Sequence, residues 1–239
     1  IMLQKDEFVL VLGSKPGSKL PNLKVKKIYT ANGAAEKGSA YIKKYADTKV
    51  ISIVGGREFE KNLDVQNRVL NSNIDEIVSR SGFVPFKNYN FLKKPTTKYL
   101  TLNEQIKFQS NFFKFGKLNI LLAEFFYENT FLMQLKHLIN FIRKGMINGV
   151  STGFFAILYA LKENDQSKVI ISGIGMQGGG HFYSKNTTRY SKRANVDKKL
   201  IFSGELINSH SLFKNTNSSS SFLLIISVSL ISASITSIL

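Results

Sequence analysis

The fold class of this chain is decided by residues 8–17, FVLVLGSKPG, in which five apolar residues run directly into a turn-forming cluster. The apolar run has the length of a buried strand, and glycine, serine and proline are typical of the turn that follows it. Two further strand-length runs, over 26–30 and 50–54, also end in glycine-containing turns, and a segment of helical composition covers 34–45. The alternation predicts an α/β, Rossmann-like fold with a mostly parallel sheet flanked by helices.

The carboxyl half continues the same pattern. An apolar helix is predicted over Phe154 to Leu161, and a strand over Lys168 to Ser172 runs into a glycine-rich segment. The apolar spacing predicts an amphipathic helix over 130–144. The polar stretch Ser184 to Asn195 predicts a mobile loop, within a mobile lid loop that we place at about 175–195. Further predicted elements are a helix over 196–207 and a short strand over 211–214.

We expect one α/β domain over residues 1–217, because this length suits a single domain. Residues 218–239 form a serine-rich linker and an uncharged, apolar tail. The tail falls just short of the roughly 20 residues that a membrane-spanning helix needs. Two alternatives stay open: a tail anchor or interfacial segment, or a buried terminal element.

Composition excludes several kinds of chemistry. The 239 residues contain no cysteine, so disulfides, thiolate metal sites and cysteine nucleophiles are excluded, and a reducing cytoplasm is the expected compartment. The three histidines match no H-E-x-x-H pattern, and no D-x-D pair is present to hold a divalent cation. We therefore expect no metal site.

The chain is strongly basic, with 33 Lys and Arg against 16 Asp and Glu and a net charge of +17. Such a surplus attracts nucleic acid, anionic lipid or an acidic substrate. One alternative function is therefore a non-enzymatic basic protein that binds nucleic acid or an anionic membrane. The lysines are dispersed and no nucleic-acid-binding module is recognisable, so nucleic acid is not an expected partner.

Residues 173–178, GIGMQG, match the dinucleotide-binding pattern G-x-G-x-x-G letter for letter. That pattern requires a helix to begin at the glycines, with its dipole facing the pyrophosphate. The residues that follow open no amphipathic helix. An NAD(P)-dependent oxidoreductase is accordingly a second alternative, although the helix that the pattern requires is not predicted.

Two segments are candidate anion sites on chemical grounds. Gly13 and Ser14 follow a predicted parallel strand, where α/β proteins bind ligands and exposed amides hold phosphates. Ser151, Thr152 and Gly153 precede an apolar helix, where hydroxyls and unpaired N–H groups suit an anion or a ribose. An ordinary tight turn and ordinary N-capping are the structural alternatives.

In their order along the chain these motifs resemble bacterial sialyltransferase-like enzymes, in particular glycosyltransferase family 42 and related transferases of Kdo-type acids. Residues 8–16 look like the opening strand and G-x-G-P-S nucleotide loop, with Lys15 where glycine is usual. Residues 29–32 look like the second strand, ending in an Asn that contacts the nucleotide. Residues 151–160 resemble the T-S-G segment and its helix. Residues 169–174 resemble a strand ending in S-G-I-D, with Gly175 replacing the Asp.

The resemblance implies an inverting, metal-independent, sialyltransferase-like glycosyltransferase with no cofactor. It would transfer sialic acid or a Kdo-type sugar from a CMP-activated donor to a glycan or lipid-linked glycan acceptor of the bacterial surface, as in lipopolysaccharide or capsule biosynthesis. The implied nucleotide-binding residues are Gly13, Ser14, Asn32, Ser151, Thr152, Gly153, Ser172 and Gly173.

The implied catalytic residues include one departure from the family pattern. Tyr183 falls where the family carries an active-site tyrosine. The lid histidine that acts as the family's base is replaced here by Lys192 and Arg193, which are not bases near neutral pH. His181 is the substitute that we expect to act as base, while Lys192 and Arg193 would neutralise the phosphate.

The expected location is cytoplasmic, with the protein peripheral on, or anchored to, an anionic inner membrane, and a homo-oligomer is left open. The whole hypothesis requires one spatial arrangement. Gly13, Asn32, Ser151 and Gly173 must gather along one rim of a parallel sheet.

Overall fold

The computed structural model describes residues 7–18, 20–80, 84–113, 150–164, 167–174 and 223–227, and positions 131, 132, 134, 135, 139, 182 and 197. The strands within this part of the chain are β1 Phe8–Leu12, β2 Lys27–Ala31, β3 Lys49–Gly55, β4 Glu76–Arg80, β5 Thr96–Leu100, β6 Lys168–Ser172 and β7 Leu223–Ser227. The helices are α1 Ala35–Ile42, α2 Gly56–Lys61, α3 Leu63–Leu70, α4 Leu102–Phe113 and α5 Thr152–Glu163. Two short 3₁₀ turns cover Asn32–Ala34 and Phe86–Asn88.

The strands form one sheet in the order β5-β4-β3-β2-β1-β6-β7. Strands β1 to β6 are all parallel, and β7 pairs antiparallel with β6. Helices pack against both sides, so the fold is α/β and Rossmann-like, and the predicted fold class is confirmed. The lid predicted over 175–195 lies outside the described residues, apart from Phe182.

Alternate residues of each central strand enter two separate cores. In β1, Val9 and Val11 pack with α5, whereas Leu10 and Leu12 face the side covered by α1 and α3. All four side chains are fully buried. Parallel strands are covered on both faces, which is why β1 is a continuous apolar run rather than an alternating one.

Several predicted elements agree with the structure, and others need correction. The strands predicted over 50–54 and 168–172 and the helix over 154–161 are present, while β2 begins at Lys27, one residue later than predicted. Strands β4 and β5 and helices α2, α3 and α4 were not predicted. The predicted strand 211–214 lies outside the described residues, as does the predicted helix 196–207 except for the helical Asp197.

Part of the apolar tail belongs to the sheet. Leu223–Ser227 pairs along the whole of β6, from Ser172 opposite Leu223 to Lys168 opposite Ser227. These five residues therefore form a strand of the sheet, and the choice between an anchor and a buried terminal element stays a prediction for the tail. Among the described residues, no helix is long and apolar enough to cross a membrane.

Asp75 joins three strands at the amino-terminal edge of the sheet. Its Oδ2 accepts a hydrogen bond from the Val50 amide at 2.8 Å, its Oδ1 accepts one from Lys93 Nζ at 2.5 Å, and its backbone carbonyl accepts one from the Thr96 amide at 3.0 Å. Burial opposes ionisation of the carboxyl, but the bonds from Lys93 and Val50 outweigh it and hold the pKa of Asp75 below its usual value.

We expect Asp75→Asn to lower the free energy of unfolding at pH 7 by about 1–2 kcal/mol, because it removes a charge-assisted pair. A lowered folded-state pKa stabilises the fold above the unfolded pKa of about 4, and this stabilisation is lost as pH falls through the folded value. The difference between variant and wild type in urea denaturation should therefore shrink between about pH 5 and pH 2. Asp47→Asn, whose side chain is 83% exposed, is the control and should change little.

Candidate functional site

The candidate site lies at the point where the strand order reverses. The chain builds outward from β1 through β2 to β5, and β6 then adds on the opposite side of β1. In open α/β sheets, ligands bind in the crevice outside the carboxyl ends of the strands at such a switch point. Gly13 directly follows β1 and Gly173 directly follows β6, so both lie at this crevice.

The backbones of these two glycines touch. The Gly13 amide donates to the Ser172 carbonyl and the Lys15 amide to the Gly173 carbonyl, both at 2.8 Å. A Cβ on Gly13 would lie 2.2 Å from the Gly173 carbonyl oxygen. Gly173 has a φ of +70°, and its own Cβ would lie 2.7 Å from the Gly13 carbonyl oxygen. Close packing therefore accounts for Gly173, the first glycine of the G-x-G-x-x-G match, without a dinucleotide.

The first turn of α5 supplies hydrogen-bond donors to the same edge. Ser151 is its N-cap: the Ser151 Oγ accepts from the Phe154 amide at 3.1 Å, and the Ser151 amide donates to Asp197 Oδ1 at 3.0 Å. The amides of Thr152 and Gly153 have no acceptor among the described residues. N-capping by Ser151 is therefore real, and the two following amides remain available to a ligand.

Asn32 joins the ends of β2 and β3. It has a φ of +51°, a left-handed conformation that asparagine tolerates better than most residues. Its Oδ1 accepts from the Gly55 amide at 3.1 Å. Because a backbone N–H requires an acceptor, the oxygen is assigned to this contact, and the side-chain NH₂ is left with no partner among the described residues.

Two close approaches show that these segments lie side by side along one edge of the sheet, which we call the rim. The Ile174 side chain lies 2.6 Å from the position of a Cβ on Gly13 and 3.4 Å from that of a Cβ on Gly153. A Cβ on Gly55 would lie 3.6 Å from Thr152 Oγ1. The structure thus brings Gly13, Asn32, Ser151, Thr152, Gly153, Ser172 and Gly173 to one edge of the sheet. Their part in binding a ligand stays a prediction.

Arg80 is a charged residue at this edge that the sequence analysis missed. It ends β4, pairs in register with Gly55, and is only 3% exposed. Its guanidinium carbon lies 4.7 Å from the ring centroid of Phe155, in the first turn of α5. The only sequence signal was an arginine closing a short β-branched run, which hydropathy does not distinguish from a surface residue.

Phe182 contacts the loop that follows β1. Its amide donates to the Ser14 carbonyl at 2.8 Å. Its ring lies 4.2 Å from Lys37 Nζ and 5.2 Å from the Arg68 guanidinium carbon. Desolvation lowers the pKa of Lys37, whose Nζ also donates to Ser18 Oγ and to the Lys15 carbonyl.

We expect Phe182→Leu to lower the free energy of unfolding by about 1 kcal/mol, because it keeps an apolar side chain but removes the aromatic face from two cations. Urea denaturation measures the effect. Phe182→Tyr preserves the ring and is the matched control. Equal losses in both variants would contradict a cation–π contribution.

The predicted catalytic and lid residues cannot be placed in this rim. His181, Tyr183, Lys192 and Arg193 lie outside the described residues. No group of three or more His, Cys, Asp or Glu side chains among the described residues has the arrangement of a metal site. The expected absence of a metal stays a prediction. Comparison of the chain with protein-family models, with curated proteins and with solved structures finds no significant match.

Proposed function

We propose that this chain is a glycosyltransferase that transfers an acidic sugar, of the sialic acid or Kdo type, from a CMP-activated donor to a glycan or lipid-linked glycan acceptor. The observation that carries the proposal is the rim at the β1/β6 switch point. It collects backbone amides, an asparagine NH₂ group and small hydroxyls from segments far apart in the chain. Backbone amides and short polar side chains of this kind suit the phosphate and ribose of a nucleoside monophosphate.

Asp197 places a negative charge at the Ser151 end of the rim. Its carboxylate already occupies the Ser151 amide and would repel a second anion there. A hydroxyl group, as on a ribose, fits this end because it can donate to the carboxylate. The phosphate would lie toward the Gly13–Ser14 loop and Asn32, with the positive end of the α5 dipole favouring its charge.

In the proposed reaction, the bond between the anomeric carbon and the CMP phosphate oxygen breaks, and the acceptor oxygen attacks from the opposite face. CMP leaves with the bonding electron pair, and the configuration inverts. His181 takes the proton of the acceptor hydroxyl. Tyr183, Lys192 and Arg193 donate hydrogen bonds to the departing phosphate, so neither a metal nor a cofactor is required.

We propose that the protein acts at the cytoplasmic face of an anionic membrane, where lipid-linked acceptors are presented. The net charge of +17 supports this location, since basic proteins concentrate at anionic lipid. A homo-oligomer is compatible with the proposal but is not required by it.

Thermal denaturation with CMP, NAD⁺ and a short oligonucleotide tests the proposal. A ligand that binds only the folded state raises the apparent stability, by about 2.7 kcal/mol at a hundred times its Kd. We expect CMP to raise the Tm and the other two to leave it unchanged. Stabilisation by NAD⁺ alone would favour an oxidoreductase, and stabilisation by the oligonucleotide alone would favour a nucleic-acid-binding protein.

Tyr183→Phe tests the chemical step. We expect transfer from CMP-sialic acid or CMP-Kdo to fall about a hundredfold, because removal of one hydrogen-bond donor to a developing charge has an effect of that order. CMP should still bind the same variant, because the contacts of the rim to the phosphate and ribose remain. Unchanged turnover would overturn the assigned role of this tyrosine.

A further inference from the structure

Helical residues within 131–139 expose a row of large apolar side chains. Phe131 is 72% exposed, Leu132 78%, Leu135 40% and Ile139 43%. Positions 131, 135 and 139 are four residues apart, so they follow one another along the same side of a helix. We call these four residues the apolar row.

The sequence analysis predicts an amphipathic helix over 130–144, and such a helix normally turns its apolar side to the core. In α5, by contrast, all eight residues from Phe154 to Leu161 are buried. Among the described residues, Leu63 on α3 and Leu92 in the loop before β5 are the other apolar side chains with exposures near 70%, and they lie in separate segments. Single exposed leucines are normal, whereas four exposed large residues within nine positions indicate an interaction surface.

Charge identifies the kind of partner. The sequence contains no Asp or Glu from 129 to 162, while Lys136, Arg143 and Lys144 fall inside the predicted helix. A second copy of this chain would bring the same basic residues to a contact between two apolar rows, and their like charges would oppose that contact. An apolar row in a basic, acid-free segment matches a surface that combines anionic headgroups with acyl chains.

We infer that the apolar row inserts into the interface of an anionic membrane, with the helix lying in the plane of the surface. The inference rests on the exposed side chains and the charge pattern, so it stands whether or not the chain transfers a sugar. The apolar side chains supply insertion and the basic residues supply attraction. Binding should therefore require anionic lipid and weaken with salt.

Tryptophan fluorescence tests the inference directly, because the chain contains no tryptophan and an introduced one is the only indole reporter. We expect Leu132→Trp in the full chain to shift its emission to shorter wavelength on phosphatidylcholine vesicles that contain phosphatidylglycerol, and not on phosphatidylcholine alone. Leu63→Trp, similarly exposed on α3, should show no shift. No shift at Leu132→Trp with the anionic vesicles would overturn the inference.

Vesicle flotation supplies the second measurement. We expect Leu132→Glu/Leu135→Glu to reduce partitioning onto the anionic vesicles about tenfold or more, since two inserted leucines are replaced by repelled carboxylates. Leu63→Glu/Leu92→Glu introduces the same charges elsewhere and should leave most of the binding. Equal binding by the two double variants would overturn the inference. The inference would also be overturned if the wild-type protein is a dimer and Leu132→Glu/Leu135→Glu makes it a monomer. The apolar row would then contact a second copy of the chain.

Discussion

Gly13→Ala is expected to lower the free energy of unfolding by about 3 kcal/mol, an effect typical of forcing an atom into closely packed structure. The added Cβ would lie 2.2 Å from the Gly173 carbonyl oxygen and 2.6 Å from its carbonyl carbon. Both are backbone atoms, so relief requires β1 and β6 to move apart. Urea denaturation measures the loss, and CMP-dependent stabilisation should be weakened in the same variant.

Gly55→Ala is the matched control, because it lies on the same rim in an ordinary backbone conformation. Its φ is −75°, and the nearest atom to its Cβ would be Thr152 Oγ1 at 3.6 Å, an ordinary contact. We expect its stability to stay within about 1 kcal/mol of wild type. If the two variants are equally stable, the close approach of the β1 and β6 ends is wrong.

Asn32→Asp is expected to preserve the fold and to weaken CMP binding about a hundredfold. Aspartate tolerates the left-handed conformation and keeps an oxygen that can accept from the Gly55 amide. The NH₂ donor, however, becomes a carboxylate oxygen facing an anionic ligand. Loss of one donor to a charged group, with added repulsion, corresponds to about 2–3 kcal/mol.

Calorimetric titration with CMP measures the affinity, and urea denaturation measures the stability of the same sample. Asn32→Ala separates the two roles, because it removes both the donor and the acceptor. That variant should lose about 1–2 kcal/mol of stability as well as affinity. Wild-type CMP affinity in Asn32→Asp would remove this residue from the proposed nucleotide site.

The apolar strands were predictable and the polar ones were not. β1 and β3 are marked by nearly continuous apolar runs, because parallel central strands are buried on both faces. β5, with the sequence TTKYL, lies at the edge of the sheet, and its first three residues are exposed. In β4, Ser79 and Arg80 are buried by neighbours that hydropathy does not take into account.

Some residues of the candidate site were likewise predictable from the sequence, and others were not. The turn after β1 and the start of α5 have local chemistry that indicates an anion site, and both could be named from a few adjacent residues. Arg80 and the ring of Phe182 carry no such local signal. The structure identifies Arg80 by its contact with Phe155 and Phe182 by its contact with Lys37, and each partner is far away in the chain.

The sequence by itself determined the α/β class, the positions of the central strands and the small, flexible residues at their ends. These properties follow from burial and backbone conformation within each short segment. Only the tertiary structure decided that β6 lies beside β1, and hence that Gly173 meets Gly13. Strand order is set by packing between distant segments, and no local pattern in the chain encodes which two ends will touch.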